Sequence, residues 1–276
     1  MADYLNAIKK INSLVFSVYN ICAKGLFALR YPFLRNVLKL NKQYKNKHRG
    51  ERCFILGLGP SLKEVDLNIL NNETLFVVND FVNFDTEQML NPLYYFLIDH
   101  AYYTDHITNA KDYMRKYPNT QFFMNIKARK KLIRNGLDNI NYLYYRYIQH
   151  KNYIKFNASK NMTAGMNVIH QCIQLALYMG FSEIVLLGCD LNYLATRFVQ
   201  MHSYEEDVKY DLRGEDPNAQ KLSDSLIRLA AAFSHHDALQ EKAKKLGVKI
   251  YNTSMNSYIM SYEFRDIKSI SRGAEK

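Results

Sequence analysis

The sequence predicts an α/β fold: a modified Rossmann-type, mostly parallel sheet with a lid segment, preceded by an N-terminal amphipathic helical arm. From residue 52 onward, short continuous apolar runs alternate with segments of helical spacing, as expected for parallel strands covered by helices on both faces. The chain has 37 basic and 26 acidic residues. Ten of the basic residues but only one of the acidic residues lie within the first fifty positions, so the rest of the chain has 27 basic and 25 acidic residues. We therefore predict a basic arm, residues 1–49, joined to a nearly neutral domain, residues 50–276.

The order of elements in the domain follows from its apolar patterns. The predicted strands are 53–56, 75–78, 94–98, 121–124, 142–145, 184–187 and 248–251, and the predicted helices are 103–116, 127–135, 164–179 and 223–246. The stretch 193–233 is polar and charged and contains no strand-like run, so we predict a lid over the active site at about residues 193–234. In such sheets the ligand crevice lies at the carboxyl ends of the strands.

Apolar residues of the arm recur at helical spacing, and the members of this stripe are Leu5, Ile8, Ile11, Val15, Val18 and Cys22. The longest stretch without charge is 11–23, thirteen residues, which is shorter than the ~20 apolar residues of a membrane-spanning helix. We therefore predict a basic helix that lies on an anionic membrane surface. The alternative is that the arm packs on the domain or on a second subunit of a homo-oligomer.

Cysteine usage and the first residues indicate the compartment. The four cysteines are scattered without a CxxC pair, so neither a disulfide framework nor a zinc cluster is expected. The opening Met-Ala-Asp-Tyr lacks the basic segment of a secretory signal. We expect a cytoplasmic protein bound peripherally at the inner face of the plasma membrane. A nearly neutral domain is atypical of proteins that bind nucleic acids, so we expect no nucleic-acid partner.

The first motif that carries chemistry directly follows the first predicted strand. Gly57 and Gly59, one residue apart and followed by Pro60 and Ser61, permit a tight turn and close approach of a phosphate to the backbone. The third glycine of a dinucleotide fingerprint is replaced by Leu62, and no Gly-Lys-Ser/Thr ends the loop. The motif is therefore neither a dinucleotide fingerprint nor a P-loop.

The second motif is Asn161-Met162-Thr163-Ala164-Gly165, at the start of the predicted helix 164–179. Thr163 is the expected N-cap. The free amides and partial positive charge of a helix start would then attract an anion.

The third motif follows the predicted strand 184–187. Asp190, Asn192 and Tyr193 are expected at the carboxyl edge, where such sheets hold their substrates. The motif therefore places an acid, an amide and a phenol beside the predicted crevice.

Together, GxGPSLKEVD, the Thr-Ala-Gly helix start, MGFSEIVLLGCD and KIYNTSMNS resemble the bacterial sialyltransferase-like and motility-accessory-factor-like glycosyltransferases. Many relatives of this family are described as hydroxymethylpterin-diphosphokinase-like. The resemblance covers about residues 52–258. It implies a metal-independent, cofactor-free enzyme that transfers a nonulosonic acid from a CMP-activated donor, with inversion, onto a surface glycan or glycolipid acceptor.

The resemblance also assigns residues. It implies that Gly57, Gly59 and Ser61 lie near the nucleotide phosphate, that Asn79 and Asp99 occupy family positions after the second and third strands, and that Thr163, Ala164 and Gly165 meet the cytidine or the sugar carboxylate. Three positions depart from the family pattern: Leu58 replaces an asparagine, Ala164 a serine and Asn161 an arginine. These departures bear on which sugar is transferred.

Inverting transfer requires a base for the acceptor proton, and a histidine suits that role. His202 is the preferred candidate because the resemblance places a His-aromatic segment there, and His235 and His236 are the alternatives. Tyr193 and Tyr204 are candidate hydroxyl donors to the leaving phosphate.

Two other functions remain open at this point. A pterin-type diphosphokinase would need ATP, Mg²⁺ and a carboxylate cluster near the phosphate loop, whereas Glu64 and Asp66 occupy ordinary helix-start positions. A catalytically inactive nucleotide-sugar-binding module is the third possibility, kept open by Leu58 and Asn161.

Overall fold

The computed structural model describes residues 2–85, 87, 90–137, 139–149, 154–192 and 222–270. Within them the strands are β1 Arg52–Leu56, β2 Thr74–Val78, β3 Tyr94–Leu97, β4 Gln121–Asn125, β5 Asn141–Tyr147, β6 Asn161–Thr163, β7 Glu183–Leu187, β8 Lys249–Asn252 and β9 Glu263–Phe264. The helices are α1 Ala2–Lys39, α2 Phe81–Phe84, α3 Ile107–Lys116, α4 Arg129–Arg134, α5 Val168–Met179, α6 Leu222–Lys245 and α7 Ile267–Ile270. The predicted α/β class is confirmed.

The nine described strands form one sheet in the order β6-β5-β4-β3-β2-β1-β7-β8-β9, and every adjacent pair is parallel. All seven predicted strands are present. The chain builds outward from β1 to β6 and then returns to place β7 on the other side of β1. Such a switch point opens a crevice at the carboxyl ends of the two central strands. The topology therefore places a cleft between the loops that follow β1 and β7.

The core is the centre of this sheet and the helix α5 above it. Four residues in each of β1, β2 and β7 and all four in β3 are buried, which explains their continuous apolar runs. Eleven of the twelve residues of α5 are buried as well. A rigid core therefore supports the loops at the carboxyl edge.

The predicted helical arm is α1, a continuous helix that contains Pro32. The side chain of Asn20 exchanges two 2.9 Å hydrogen bonds with the backbone of Ile148, just beyond β5. Phe27 stacks on Tyr144 of β5 with ring centroids 5.5 Å apart. At the other end, the Asn41 amide donates to the Tyr142 carbonyl at 2.8 Å. Because these contacts follow opposite directions along the two elements, α1 lies antiparallel to β5.

The last residues of the predicted arm pack into the body. Leu38, Asn41, Tyr44 and His48 are buried, and Leu38 and Tyr44 belong to the main hydrophobic cluster. The segment from Leu38 onward is therefore part of the folded body, and only the residues before it form an arm.

Much of the arm presents apolar side chains to solvent, among them Ile11, Leu14, Val15, Val18, Ile21, Leu26, Leu29 and Phe33. By length and composition alone, the helical stretch Ile11–Tyr44 meets the criteria for a membrane span: an 18-residue window within it has a mean hydropathy of 1.2, and 11% of that window is buried. Core helices and signal sequences also meet these criteria. The structure therefore shows that much of the apolar surface of α1 is not covered by the described part of the body.

Candidate functional site

A cleft of about 210 Å³ opens at the carboxyl edge of the sheet, at the switch point. Five segments supply its lining: the loop after β1, the end of β2, the first turn of α5, the loop after β7 and the loop after β8. The lining residues are Gly57, Leu58, Gly59, Pro60, Val78, Asn79, Asn167, Val168, Ile169, Gly188, Cys189, Asp190, Leu191, Asn192 and Ile259. The structure thus brings together the first and third sequence motifs.

The two glycines after β1 allow the β1 and β7 loops to approach each other. The Gly57 N–H donates to the Leu187 carbonyl at 2.7 Å, and the Gly59 N–H donates to the Gly188 carbonyl at 2.8 Å. A Cβ on Gly57 would lie 2.4 Å from the Gly188 oxygen, closer than real atoms approach. Both amides are therefore used between the loops, and Gly57 and Gly59 line the cleft without offering a free N–H.

Hydrogen bonds to Asp190 hold the same two loops together. One of its carboxylate oxygens accepts a 3.0 Å hydrogen bond from the Ser61 backbone N–H, and the other accepts from the Ser61 hydroxyl. The Ser254 hydroxyl lies 2.8 Å from that of Ser61, and the Tyr258 N–H donates to the Asp190 carbonyl at 2.9 Å. Asp190 lines the cleft, but its carboxylate is occupied by Ser61, which lies behind the lining.

Two lining residues have an unusual backbone conformation. Asn79 and Leu191 adopt φ angles of +47° and +48°, and for leucine this region costs on the order of 1–3 kcal/mol. The Oδ1 atom of Asn79 is buried and has no hydrogen-bond partner in the described part of the chain. A buried polar atom without a partner is costly. An acceptor with free capacity at a cleft is suited to a ligand hydroxyl or amino group.

The first turn of α5 supplies amide donors. Asn167 is the N-cap, its side chain accepting from the His170 N–H at 3.1 Å, and the His170 Nδ1 accepts from the Met166 N–H at 3.0 Å. The N–H groups of Val168 and Ile169, both at the cleft, have no partner among the described residues. Free amides and the positive end of the helix dipole are features that suit an anion.

The predicted N-cap at Thr163 is wrong by four residues. Thr163 ends strand β6, where its N–H donates to the Lys155 carbonyl and its hydroxyl accepts from the Lys155 N–H, each at 2.8 Å. It is fully buried. The helix begins only after Gly165, because a loop must carry the chain from the sheet edge to the start of α5.

The rest of the second motif serves β6 and the loop after it. Asn161 is buried, and its Oδ1 accepts from the Arg146 N–H at 2.9 Å; the Ala164 N–H donates to the Tyr147 carbonyl at 2.7 Å. Gly165 packs closely on the first turn of α5, since an added Cβ would lie 2.8 Å from the Asn167 carbonyl oxygen. None of these residues lines the described cleft.

Asp99 is exposed at the carboxyl end of β3 and caps a short 3₁₀ helix, His100–Tyr103, by accepting from the Ala101 N–H at 3.1 Å. Asn192 lines the cleft and donates to the Asn256 carbonyl at 3.2 Å. Asp99 therefore lies at the same carboxyl edge of the sheet as the cleft but does not line the cleft, whereas Asn192 does.

The alternative bases His235 and His236 are buried in α6, with 1% and 0% of their surface exposed. Both pack on His170, with ring centroids 4.2 Å apart in each case. Burial lowers the pKa of His235 to about 4, and burial together with His235 lowers the pKa of His236 to about 3. Neither lines the cleft, so neither reaches a substrate there in this structure. Tyr193, His202 and Tyr204 lie outside the described residues.

Sequence reasoning missed the first turn of α5 and the contributions of Leu191 and Ile259. Asn167, Val168 and Ile169 follow the second motif by only a few residues, and the available signal was an asparagine with a histidine three residues later. This spacing matches a capping box in which histidine replaces the usual glutamate. Among the described residues no group of three His, Cys, Asp or Glu side chains is arranged to hold a metal ion.

Comparison with known proteins gives a family. The family model described as "6-hydroxymethylpterin diphosphokinase MptE-like" matches residues 30–196, more than half of the chain. No curated protein matches the sequence.

The chain is also similar to solved structures. One is the sialyltransferase CstII from Campylobacter jejuni in complex with cytidine-5'-monophosphate, at 18% identity and TM-score 0.49, covering 78% of this chain and 85% of that one. Another is the MAf glycosyltransferase from Magnetospirillum magneticum AMB-1, at 14% identity and TM-score 0.48, covering 86% of this chain and 39% of that one.

Proposed function

The chain belongs to the 6-hydroxymethylpterin diphosphokinase MptE-like family, and within that family we propose that it is a glycosyltransferase. The proposed reaction transfers a nonulosonic acid from a CMP-activated donor, with inversion, onto a surface glycan or lipid-linked acceptor. The observation that carries the proposal is the cleft at the switch point, which is lined both by the start of α5, with its free amides, and by Asn79, whose buried Oδ1 has no partner among the described residues. The motif resemblance supplies the identity of the donor.

The cleft suits an ester of a nucleoside monophosphate, such as a CMP-activated sugar. The Val168 and Ile169 amides would donate to the phosphate, which the positive end of α5 also attracts. The Asn79 Oδ1 would accept from a hydroxyl or amino group of the donor. Leu58, Val78 and Ile259 offer apolar walls to a ring, in keeping with the usual composition of ligand sites.

The side chains that line the cleft favour sugar transfer over transfer of a diphosphate to a pterin. Diphosphate transfer from ATP requires carboxylates that hold Mg²⁺ beside the phosphates. Asp190 is the one carboxylate among the described lining residues, and Ser61 occupies both of its oxygens. Asp66 caps the 3₁₀ helix Leu67–Leu70 by accepting from the Asn68 N–H.

In the proposed step a base takes the proton of the acceptor hydroxyl while its oxygen attacks the anomeric carbon. The bond from that carbon to the phosphate oxygen breaks, and CMP leaves with the bonding electrons. We assign the base to His202 and assign to Tyr193 and Tyr204 the role of donating hydrogen bonds to the leaving phosphate. We also propose that the reaction occurs at the inner face of the plasma membrane, with α1 on the anionic surface.

Thermal unfolding of the full chain with added nucleotides tests the proposal. CMP at 100 times its Kd should stabilise the fold by about 2.7 kcal/mol, and it should do so in the presence of a chelator because α5 amides and not a metal hold the phosphate. Inorganic phosphate at the same concentration is the control and should shift the midpoint less. A shift with ATP–Mg²⁺ and none with CMP would instead favour the diphosphokinase.

A further inference from the structure

A second cavity lies between the arm and the sheet, remote from the cleft. It has a volume of about 300 Å³ and is lined by Arg30, Phe33, Leu34, Ile126, Lys127, Tyr144 and Arg146. Three of these residues come from α1, two follow β4 and two belong to β5. We refer to it as the α1–β5 pocket. Its lining combines three cations with four apolar or aromatic side chains.

The three cations carry uncompensated charge. In the parts of the chain with assigned positions, no carboxylate lies within 4.0 Å of the charged nitrogens of Arg30, Lys127 or Arg146. They come from three different elements and converge on one cavity. Charges of one sign on low-dielectric walls focus the field and attract a counter-ion. Two guanidinium groups favour a phosphate, which they can bind in a bidentate manner.

The apolar part of the pocket indicates more than a bare phosphate. Phe33 is 85% exposed and Leu34 is half-buried, although both are large apolar side chains beside the cations. Phe33 continues the exposed apolar surface of α1, whose members include Val18, Ile21 and Leu29. A ligand with an anionic head and an apolar body would cover both parts.

The orientation of α1 places this surface at the carboxyl edge of the sheet. Since α1 is antiparallel to β5 and Asn20 already contacts Ile148 beyond the end of that strand, the preceding helical turns continue past the edge. The pocket itself lies at the carboxyl ends of β4 and β5, because Ile126 and Lys127 follow β4. The cleft opens at the same edge.

We propose that the α1–β5 pocket binds the phosphate headgroup of an anionic phospholipid in a membrane on which α1 lies. Arg30, Lys127 and Arg146 contact the phosphate, and Phe33 and Leu34 contact the glycerol and acyl region. This arrangement would direct the edge that holds the cleft toward the membrane. The inference rests on the membrane position of α1 given in the proposed function, but it concerns a different site and does not depend on the sugar donor.

Flotation of the full chain with vesicles tests the pocket. We expect binding to phosphatidylcholine vesicles that contain phosphatidylglycerol, with little binding to phosphatidylcholine alone. The variant Arg30→Gln/Lys127→Gln/Arg146→Gln should weaken binding about tenfold more than Lys24→Gln/Arg35→Gln/Lys39→Gln, because contacts in a shaped pocket exceed those of solvated charges. The second variant removes equal charge from α1 outside the pocket. Lys127→Gln alone, at an exposed side chain, should give an intermediate loss.

Four outcomes would overturn the proposal. Equal losses in the two triple variants would indicate general electrostatic attraction, and equal binding to neutral vesicles would indicate apolar insertion alone. Displacement by soluble glycerol 3-phosphate or inorganic phosphate would indicate a small-anion site. Retention of the protein on vesicles after alkaline carbonate extraction would indicate a spanning helix. A cooperative thermal transition near the original midpoint shows that the pocket variant folds, and because this readout needs no nucleotide it separates this test from that of the proposed function.

Discussion

Replacement of His202 by alanine should lower the rate of sugar transfer about 10²–10⁴-fold, the usual contribution of a general base. CMP binding should remain unchanged, since the Val168 and Ile169 amides and Asn79 lie in other segments. The assignment rests on the resemblance and on elimination among the candidates. His235 and His236 are buried beside His170 and do not line the cleft. His202 follows Asn192 of the lining by ten residues in the chain.

The measurement is release of CMP from a CMP-activated nonulosonic acid in the presence of acceptor, combined with the thermal shift by CMP. His106→Ala, at an exposed position outside the cleft lining, is the matched control and should transfer at the normal rate. The assignment fails if His202→Ala is fully active while His235→Gln or His236→Gln, folded by the same thermal criterion, has lost transfer.

Mild acid should destabilise the fold strongly. Burial, followed by the neighbouring His236 and His235, holds the pKa of His170 well below its usual value, and burial lowers those of His235 and His236 to about 4 and about 3. In the unfolded chain the three histidines titrate near 6.5. As pH falls below about 6.5 the unfolded state therefore binds more protons, and stability falls with it until the folded pKa values are reached.

The expected size follows from the same shifts. At about 1.4 kcal/mol per unit, His235 alone would remove about 3 kcal/mol between pH 6.5 and 4. His170 links this loss to the cleft, because its Nδ1 accepts the Met166 N–H at the start of α5, and a protonated Nδ1 cannot accept. The Tyr262 hydroxyl, 2.9 Å from the His236 Nδ1, is a further polar neighbour of the cluster.

Urea unfolding of the full chain at several pH values between 7.5 and 4.5 measures this effect. His235→Gln should reduce the slope of stability against pH over this range, whereas the exposed His106→Gln should leave it unchanged. A His235→Gln variant with the slope of the original chain would show that other groups cause the acid sensitivity.

The strands that cross the core were predictable because burial on both faces leaves a continuous apolar run, as in β1 and β7. Strand β6 was not predictable in this way. It has three residues, and it forms through pairing with β5 and a hydrogen bond from Thr163 to Lys155. These partners are distant in the sequence or belong to an irregular segment, so a local pattern does not reveal them.

The site shows the same division. The loops after β1 and β7 were found because glycine at 57 and 59 and an acid at 190 are unusual beside buried strands. The close approach that these glycines allow is between two loops, and their position near a nucleotide phosphate stays a prediction. The N-cap of this helix was predicted at Thr163, whereas the structure has it at Asn167, because either residue can cap a helix and only the tertiary course of the chain decides between them.

Calorimetric titration of CMP into two variants of one residue tests the central claim most directly. Val168 is the first residue of α5, where proline is tolerated and removes only the N–H, and the extended conformation of Asn167 suits a residue before proline. Val168→Ala keeps that N–H. We expect Val168→Ala to bind CMP with nearly the original affinity and Val168→Pro to bind about 10- to 100-fold more weakly, the value of a hydrogen bond to a charged group. Equal affinity in the two variants would contradict the account, because the phosphate would not then lie at the start of α5.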